Sequence, residues 1–125
     1  MYFAFGSNEA GVHGSGAART ALQEHGAQMG KGFGPSRSSF AIPTKDWQIQ
    51  TLPVEVVAVY VNAFIRYAEI NPTKQFKVTR IGCGLAGFEN HQIAPLFLNA
   101  PSNCHFDLAW KPYLGNLVNY WGSYE

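Results

Sequence analysis

Residues 78–88, Val-Thr-Arg-Ile-Gly-Cys-Gly-Leu-Ala-Gly-Phe, decide the fold that the sequence predicts. The stretch begins as a strand, because Phe76, Val78 and Ile81 are large apolar residues that suit a buried pleated surface. It ends as a loop whose glycines leave backbone N–H groups without a ladder partner and without a Cβ in front of them. A row of such groups binds anions, and phosphate is the usual one. The alternative is a tight strand-to-helix turn that has no ligand.

A second glycine-rich segment lies near the N-terminus. Residues 2–5 are predicted as a strand, residues 6–16 as a loop and residues 15–25 as a helix that ends at a glycine. The free N–H groups and the dipole of the helix N-terminus favour an anion at this loop. Arg19 stands where a dinucleotide fingerprint needs glycine, and residues 26–31 are one residue short of a P-loop. These mismatches argue against a Rossmann dehydrogenase and a P-loop NTPase.

The rest of the chain alternates strands with helices. Further strands are predicted over residues 39–44 and 104–108. Helices are predicted over residues 53–69 and 90–98, the first of them with Thr51 as its N-cap. Residues 26–37 are predicted as a loop, and residues 110–125 as a closing helix or an aromatic wall for a base. Several strands are apolar throughout, so the pattern predicts an α/β fold, a three-layer α/β/α sandwich with a mixed, largely parallel central sheet. Ligands of such sheets bind at the carboxyl ends of strands, where both glycine loops and Lys45 should gather.

Composition restricts the class of protein. A chain of 125 residues with 46% hydrophobic and 14% charged residues is expected to be one folded domain, residues 1–125. The net charge of +1 provides no strong field for duplex nucleic acid or an anionic membrane. The two cysteines and four histidines lack metal-ligand spacing, so we expect no metal, no cofactor and no disulfide. The short apolar N-terminus is no signal peptide or membrane span, which predicts a cytoplasmic protein.

Four side chains near the loops are candidates for chemistry. His13 lies inside the first loop, where it would bond a phosphate or donate a proton. Cys83 lies at the second loop, where an anion site would lower the pKa of a thiol, but a small buried filler is the favoured interpretation. Lys45 and Asp46 directly follow a strand, a position typical of active-site rims and also of plain solvated loops.

The two loops resemble the phosphate-binding loops of the macrodomain family, which binds ADP-ribose. The most specific match is Arg-Ile-Gly-Cys-Gly-Leu at residues 80–85, which resembles the branch that removes terminal ADP-ribose from acidic side chains or nucleobases. Residues 6–18 resemble the other phosphate loop, and Ile-Pro-Thr-Lys at residues 42–45 resembles the setting of that branch's nucleophilic lysine. The resemblance covers about residues 2–100 and extends to short phage-encoded macro-like proteins.

The resemblance implies an ADP-ribosyl hydrolase that binds ADP-ribose, or an ADP-ribosyl group on protein or nucleic acid, and releases it. Lys45 would be the nucleophile or would support the leaving group, Asn8 would contact the distal ribose, and Asp46 is a candidate base. The ligand-binding residues implied in this way are Ser7, Asn8, Gly11, His13, Gly14, Ser15, Gly16, Thr44, Gly82, Cys83, Gly84, Leu85, Ala86, Gly87 and Phe88.

Two departures from the family pattern leave other functions open. Ala86 stands where that branch has an aspartate and another branch an aromatic residue, which Phe88 would have to replace. Macrodomains usually bind adenine with an acidic residue that precedes the first strand, and this chain has no such residue ahead of Tyr2. A non-catalytic binder or sponge of ADP-ribose or a related signalling nucleotide is therefore the second hypothesis, and an interaction protein without a pocket is the third. The sequence indicates neither the modified target nor the oligomeric state.

Overall fold

Residues 1–124 of the computed structural model contain a six-stranded sheet with four short or medium helices. In chain order the elements are β1 (Tyr2–Asn8), α1 (Gly16–Glu24), β2 (Gly34–Ser36), β3 (Ser39–Lys45), α2 (Val54–Ile70), β4 (Phe76–Val78), α3 (Asn90–Ile93), β5 (Cys104–Asp107), α4 (Lys111–Leu114) and β6 (Asn119–Gly122). Two 3₁₀ turns, Ala94–Phe97 and Leu108–Trp110, extend α3 and precede α4.

The sheet is mixed and largely parallel, as the sequence predicts. Its strand order is β2-β3-β1-β4-β5-β6, and every neighbouring pair is parallel except β2 with β3. From β1 the chain passes to β3 on one side, crosses to β4 on the other side of β1, and then continues outward to β6. The direction of winding therefore reverses between β1 and β4. Ligand crevices of open α/β sheets form at such a reversal, outside the carboxyl ends of the strands.

Both faces of the central strand β1 are buried. Successive side chains of a strand point to opposite faces. Ala4 accordingly joins the larger apolar cluster, to which α2 contributes its buried stripe, whereas Phe3 and Phe5 join a smaller cluster with Ala18 and Ala21 of α1. Residues of α2 and of α1 thus belong to the two different apolar clusters that bury successive residues of β1.

Most predicted elements are confirmed, with small shifts of their ends. Gly26, at φ +77°, ends α1 as expected, since glycine adopts this left-handed conformation without strain. The expected Thr51 cap is wrong: α2 begins after Pro53, because the Thr51 hydroxyl instead donates to the carbonyl of Ala86 at 2.9 Å. The predicted loop over residues 26–37 contains the short edge strand β2.

The predicted closing helix over residues 110–125 is wrong. Helix α4 ends at Leu114, because Gly115 adopts φ +78° and turns the chain. The following residues form β6, a parallel edge strand on β5 that carries Tyr120 and Trp121. Aromatic residues suit a strand as well as a helix, and the apolar pattern alone did not separate the two. Residue 125 lies outside the described part of the chain.

Candidate functional site

A cavity of about 500 Å³ opens at the carboxyl ends of the parallel strands. Its rim follows the order of the sheet: Lys45 ends β3, Asn8 ends β1, Arg80 follows β4, Asp107 ends β5 and Tyr124 follows β6. Neighbouring strands lie about 4.8 Å apart, so the four steps from β3 to β6 span about 19 Å. The cavity is therefore elongated, and its middle lies above β1 and β4, where the winding of the sheet reverses.

The first glycine loop has free backbone N–H groups on residues that line this cavity. The N–H groups of Gly11 and Val12 bond to the carbonyl and side-chain oxygens of Asn8, and that of His13 to the sulfur of Met29. Those of residues 14–18 have no acceptor within residues 1–124, because they precede or open α1 and no side chain caps the helix. Residues 14–18 all line the cavity.

The N–H groups of the second glycine loop likewise fall into a bonded set and a free set. The N–H groups of Cys83, Gly87 and Phe88 donate to carbonyls of the loop itself, at 3.1, 3.0 and 2.9 Å. The N–H groups of Gly82 and of residues 84–86 have no acceptor in the described chain, and these residues line the cavity. The amides that bond within each loop thus stabilise its shape, and the free amides belong to residues that line the cavity.

The two loops come close together over the strand ends. A Cβ added to Gly16 would lie 3.9 Å from Leu85 Cδ1, and a Cβ added to Gly6 would lie 3.3 Å from the nitrogen of Gly82. The residues that carry the two sets of free N–H groups therefore lie around one cavity at the reversal between β1 and β4. Free amides at the N-terminus of a helix and in a glycine turn favour an anion.

The segment of residues 28–32 braces the first loop from behind. The Ser7 hydroxyl donates to the carbonyl of Gly32, and the N–H of Gly30 donates to the carbonyl of Gly11 at 2.9 Å. A Cβ on Gly32 would lie 2.3 Å from the carbonyl oxygen of Asn8, so only glycine allows this approach. The close packing fixes the direction of the loop amides before any ligand arrives.

Asn8 shapes the first loop as well as lining the cavity. Its side-chain amide donates to the carbonyl of Val12 at 2.8 Å, and its Oδ1 accepts the N–H of Val12 at 2.9 Å. Each end of the side chain keeps capacity for one further hydrogen bond. Contact with a ligand would add to this structural role.

The structure brings most of the implied site residues together at the cavity. Those that line it are Ser7, Asn8, Gly14, Ser15, Gly16, Thr44, Lys45, Gly82, Cys83, Gly84, Leu85 and Ala86; those that do not are Gly11, His13, Asp46, Gly87 and Phe88.

Two of the implied site residues that do not line the cavity, His13 and Asp46, make contacts elsewhere in the chain. His13 is buried behind the first loop, with its Nε2 at 3.1 Å from the carbonyl oxygen of Lys31 and its ring on Phe5. The Asp46 carboxylate accepts the N–H groups of Gln48 and Gln50 within its own turn, at 2.8 and 3.0 Å. Sequence position within a loop did not reveal which side of the loop faces the cavity.

Three of the lining residues that the sequence did not predict for the site carry a charge or an aromatic ring, namely Arg80, Asp107 and Tyr124. Asp107 is only 3% exposed, and its Oδ2 lies 3.9 Å from Nε of Arg80. Tyr124 packs against Trp121, with ring centroids 4.9 Å apart, and Lys77 Nζ lies over both rings. Arg80 and Asp107 follow strands just as Lys45 does, so the same strand-end rule would have found them. The sequence has no comparable signal for Tyr124, because the pattern of residues 110–125 fits either a closing helix or an aromatic wall and does not indicate β6.

The thiol in the cavity is not an activated nucleophile. Burial raises the pKa of Cys83 to about 11, although the Arg80 charge and a hydrogen bond with Trp110 oppose the shift. At neutral pH the thiol is therefore protonated, and a protonated thiol is a poor nucleophile. This agrees with its interpretation as a small filler of the second loop.

Comparison of the chain with protein-family models, with curated proteins and with solved structures finds no match. Among residues 1–124, no three His, Cys, Asp or Glu side chains are placed to hold a metal ion. None of the helices in that part of the chain has the length and apolarity needed to cross a membrane. The assignment of a ligand therefore rests on the geometry of the cavity.

Proposed function

We propose that this protein has a macrodomain-like, three-layer fold and binds ADP-ribose, or an ADP-ribosyl group on protein or nucleic acid, along the cavity. The observation that carries the proposal is that two sets of free N–H groups, from residues 14–18 and from Gly82 with residues 84–86, belong to residues that line one cavity above β1 and β4. Two adjacent amide sets match the two phosphates of a diphosphate. Hydrogen bonds from neutral donors to charged oxygens contribute about 1.5–3 kcal/mol each.

The two arms of the cavity suit the two ends of such a ligand. The β5–β6 end has the ring of Tyr124, a surface for stacking, and the carboxylate of Asp107, an acceptor for an amino group. We assign the adenosine to this end, where stacking on one aromatic ring contributes about 1–3 kcal/mol. The β3 end, with Lys45, then receives the distal ribose, where Asn8 lies within the lining.

Hydrolysis would begin at the Lys45 amine. The unprotonated nitrogen would attack the anomeric carbon of the distal ribose, and the bond from that carbon to the target would break, its electron pair leaving with the target. Water would then release ADP-ribose from the lysine. In a weaker form of the proposal, the charged amine only stabilises the departing group. Asp46, the candidate base, is held by its own turn, so we assign it to the shape of the chain beside Lys45.

A second function, binding without turnover, is favoured by the distribution of acids. Asp107 is the only carboxylate among the cavity-lining residues of the described chain, and it lies at the end opposite Lys45. Position 86, within the second amide set, is alanine. A site whose lining has no acid at the lysine end would hold the ligand and release the target slowly or not at all.

An assay of ADP-ribose release separates the two functions. The protein is incubated with ADP-ribosylated protein and with ADP-ribosylated DNA, and the comparison variant is Lys45→Ala. Lys111→Ala, on the exposed end of α4, is the control for a lost positive charge. Release that is lost only in Lys45→Ala supports hydrolysis, binding of ADP-ribose without release supports the binder, and release that survives Lys45→Ala removes lysine from the mechanism. Absence of binding refutes both.

A further inference from the structure

Ile49 adopts a backbone conformation that side chains of its type rarely take. Its φ is +63°, in the left-handed region, and only Arg37 shares a positive φ among the non-glycine residues 1–124. A β-branched residue in this region is a true outlier. Such strain persists only where surrounding structure imposes it, and it is concentrated at functional sites.

The turn that holds Ile49 is fixed on several sides. The Asp46 N–H donates to the carbonyl of Gln50 at 2.8 Å, and the Ile49 N–H donates to the carbonyl of Asp46 at 3.1 Å. Just beyond the turn, Thr51 forms a bridge with Lys45 and donates its hydroxyl to the carbonyl of Ala86. The turn is therefore anchored to β3 and to the second glycine loop, and these anchors impose the conformation of Ile49.

The side chain of Ile49 reaches the cavity wall. Ile49 lines the cavity together with Val12 and Leu85, and these three aliphatic residues are 41%, 48% and 69% exposed. We call them the apolar collar. They come from the turn after β3 and from the two glycine loops, so three separate segments of the chain contribute an aliphatic residue to the cavity wall. Apolar side chains left exposed around a polar cavity indicate a surface that a ligand covers.

We propose that Ile49 is a specificity-determining residue that contacts the ligand beyond its second phosphate. The inference rests on the proposed function, because it places the distal ribose at the collar. One face of a ribose carries C–H groups that pack on an aliphatic side chain. ADP ends at the second phosphate and has no distal ribose to place against Ile49. Ile49 therefore makes the site prefer ADP-ribose to ADP.

Calorimetric titration with ADP and with ADP-ribose tests this preference. The wild type should bind ADP-ribose about tenfold or more tightly than ADP, the value expected when an aliphatic side chain is covered. In Ile49→Gly the ratio should fall several-fold, with the affinity for ADP unchanged. Gln48→Gly is the matched control, because Gln48 is exposed on the same turn and does not line the cavity, and it should keep the wild-type ratio.

The unfolding temperature provides a second test. A residue that only stabilises the fold would lower this temperature when it is replaced. Ile49→Gly should unfold at a higher temperature than the wild type, because glycine accepts a positive φ, while Ile49→Ala should not. A lower midpoint for Ile49→Gly overturns the strain argument. A wild-type preference for ADP-ribose that survives in Ile49→Gly overturns the role of Ile49 and leaves the proposed function intact. Failure of the wild type to bind either nucleotide refutes the proposed function and this inference together.

Discussion

Substitution of Gly6 by alanine tests the meeting point of the two loops. Gly6 lies in β1, and its backbone is not in the left-handed region. The added methyl group would lie 3.3 Å from the nitrogen of Gly82 and 3.7 Å from Cγ2 of Thr44 and of Ile81. The N–H of Gly82 is one of the free N–H groups, and Gly82 lines the cavity. The change therefore acts on the proposed phosphate site from underneath.

The expected effect on stability is small, and the effect on binding is large. Crowding by one methyl group costs about 1 kcal/mol, and the stiffer unfolded chain of an alanine variant offsets about half of it or more. Displacement of the Gly82 N–H by a few tenths of an ångström removes a hydrogen bond to a charged phosphate, which contributes about 1.5–3 kcal/mol. We therefore expect the affinity for ADP-ribose to fall about 10- to 150-fold in Gly6→Ala.

The assay is calorimetric titration of ADP-ribose into each variant, with the unfolding midpoint measured in parallel. Val61→Ala is the control, because Val61 is buried in α2 and does not line the cavity. It should lower the free energy of unfolding by about 2 kcal/mol and leave the affinity unchanged. A folded Gly6→Ala protein that binds ADP-ribose as tightly as the wild type would refute the placement of a phosphate at the Gly82 amide.

Three further predictions concern other parts of the site and its support. Tyr124→Ala should weaken ADP-ribose about 5- to 150-fold, since it removes a stacking surface, and should leave ribose 5-phosphate unaffected in the same titration. Cys83→Ala should bind ADP-ribose as the wild type does, and the Cys83 thiol should react slowly with iodoacetamide at pH 8, because burial raises its pKa to about 11; a fast reaction at pH 8 would contradict this. The hydrogen bond with Glu9 raises the pKa of Tyr60 to about 12. This hydrogen bond therefore stabilises the folded state fully below pH 10, and the stabilisation is lost as the pH rises through 12. Tyr60→Phe should cost about 1 kcal/mol at pH 7 in denaturant unfolding, and the difference should vanish near pH 12.

The sequence predicts the sheet and the rim of the site well because both follow from local patterns. Strand propensity predicts β1 and β3 from their apolar runs. The conformational freedom of glycine predicts the loops after β1 and β4. The rule that ligands bind at strand ends then brings Lys45 and both loops to one edge. The cavity lining confirms this gathering of Lys45, Gly14 and Gly84.

What the sequence could not supply depends on contacts between distant residues. Which loop amides are free is decided by their neighbours: the N–H of His13 goes to Met29, and that of Phe88 to Gly82. The Thr51 hydroxyl bonds across to Ala86 and so leaves α2 without the expected cap. The strain at Ile49 likewise has no local signal, because isoleucine normally avoids the conformation that its anchors impose.

Thermal unfolding with and without ADP-ribose tests the central claim most directly. If the free amides of both loops hold the diphosphate, ADP-ribose at about one hundred times its dissociation constant should add about 2.7 kcal/mol of stability. For a chain of 125 residues this raises the unfolding midpoint by about 10 °C. Gly6→Ala should show a much smaller rise at the same ligand concentration. An unchanged wild-type midpoint in millimolar ADP-ribose would contradict the account.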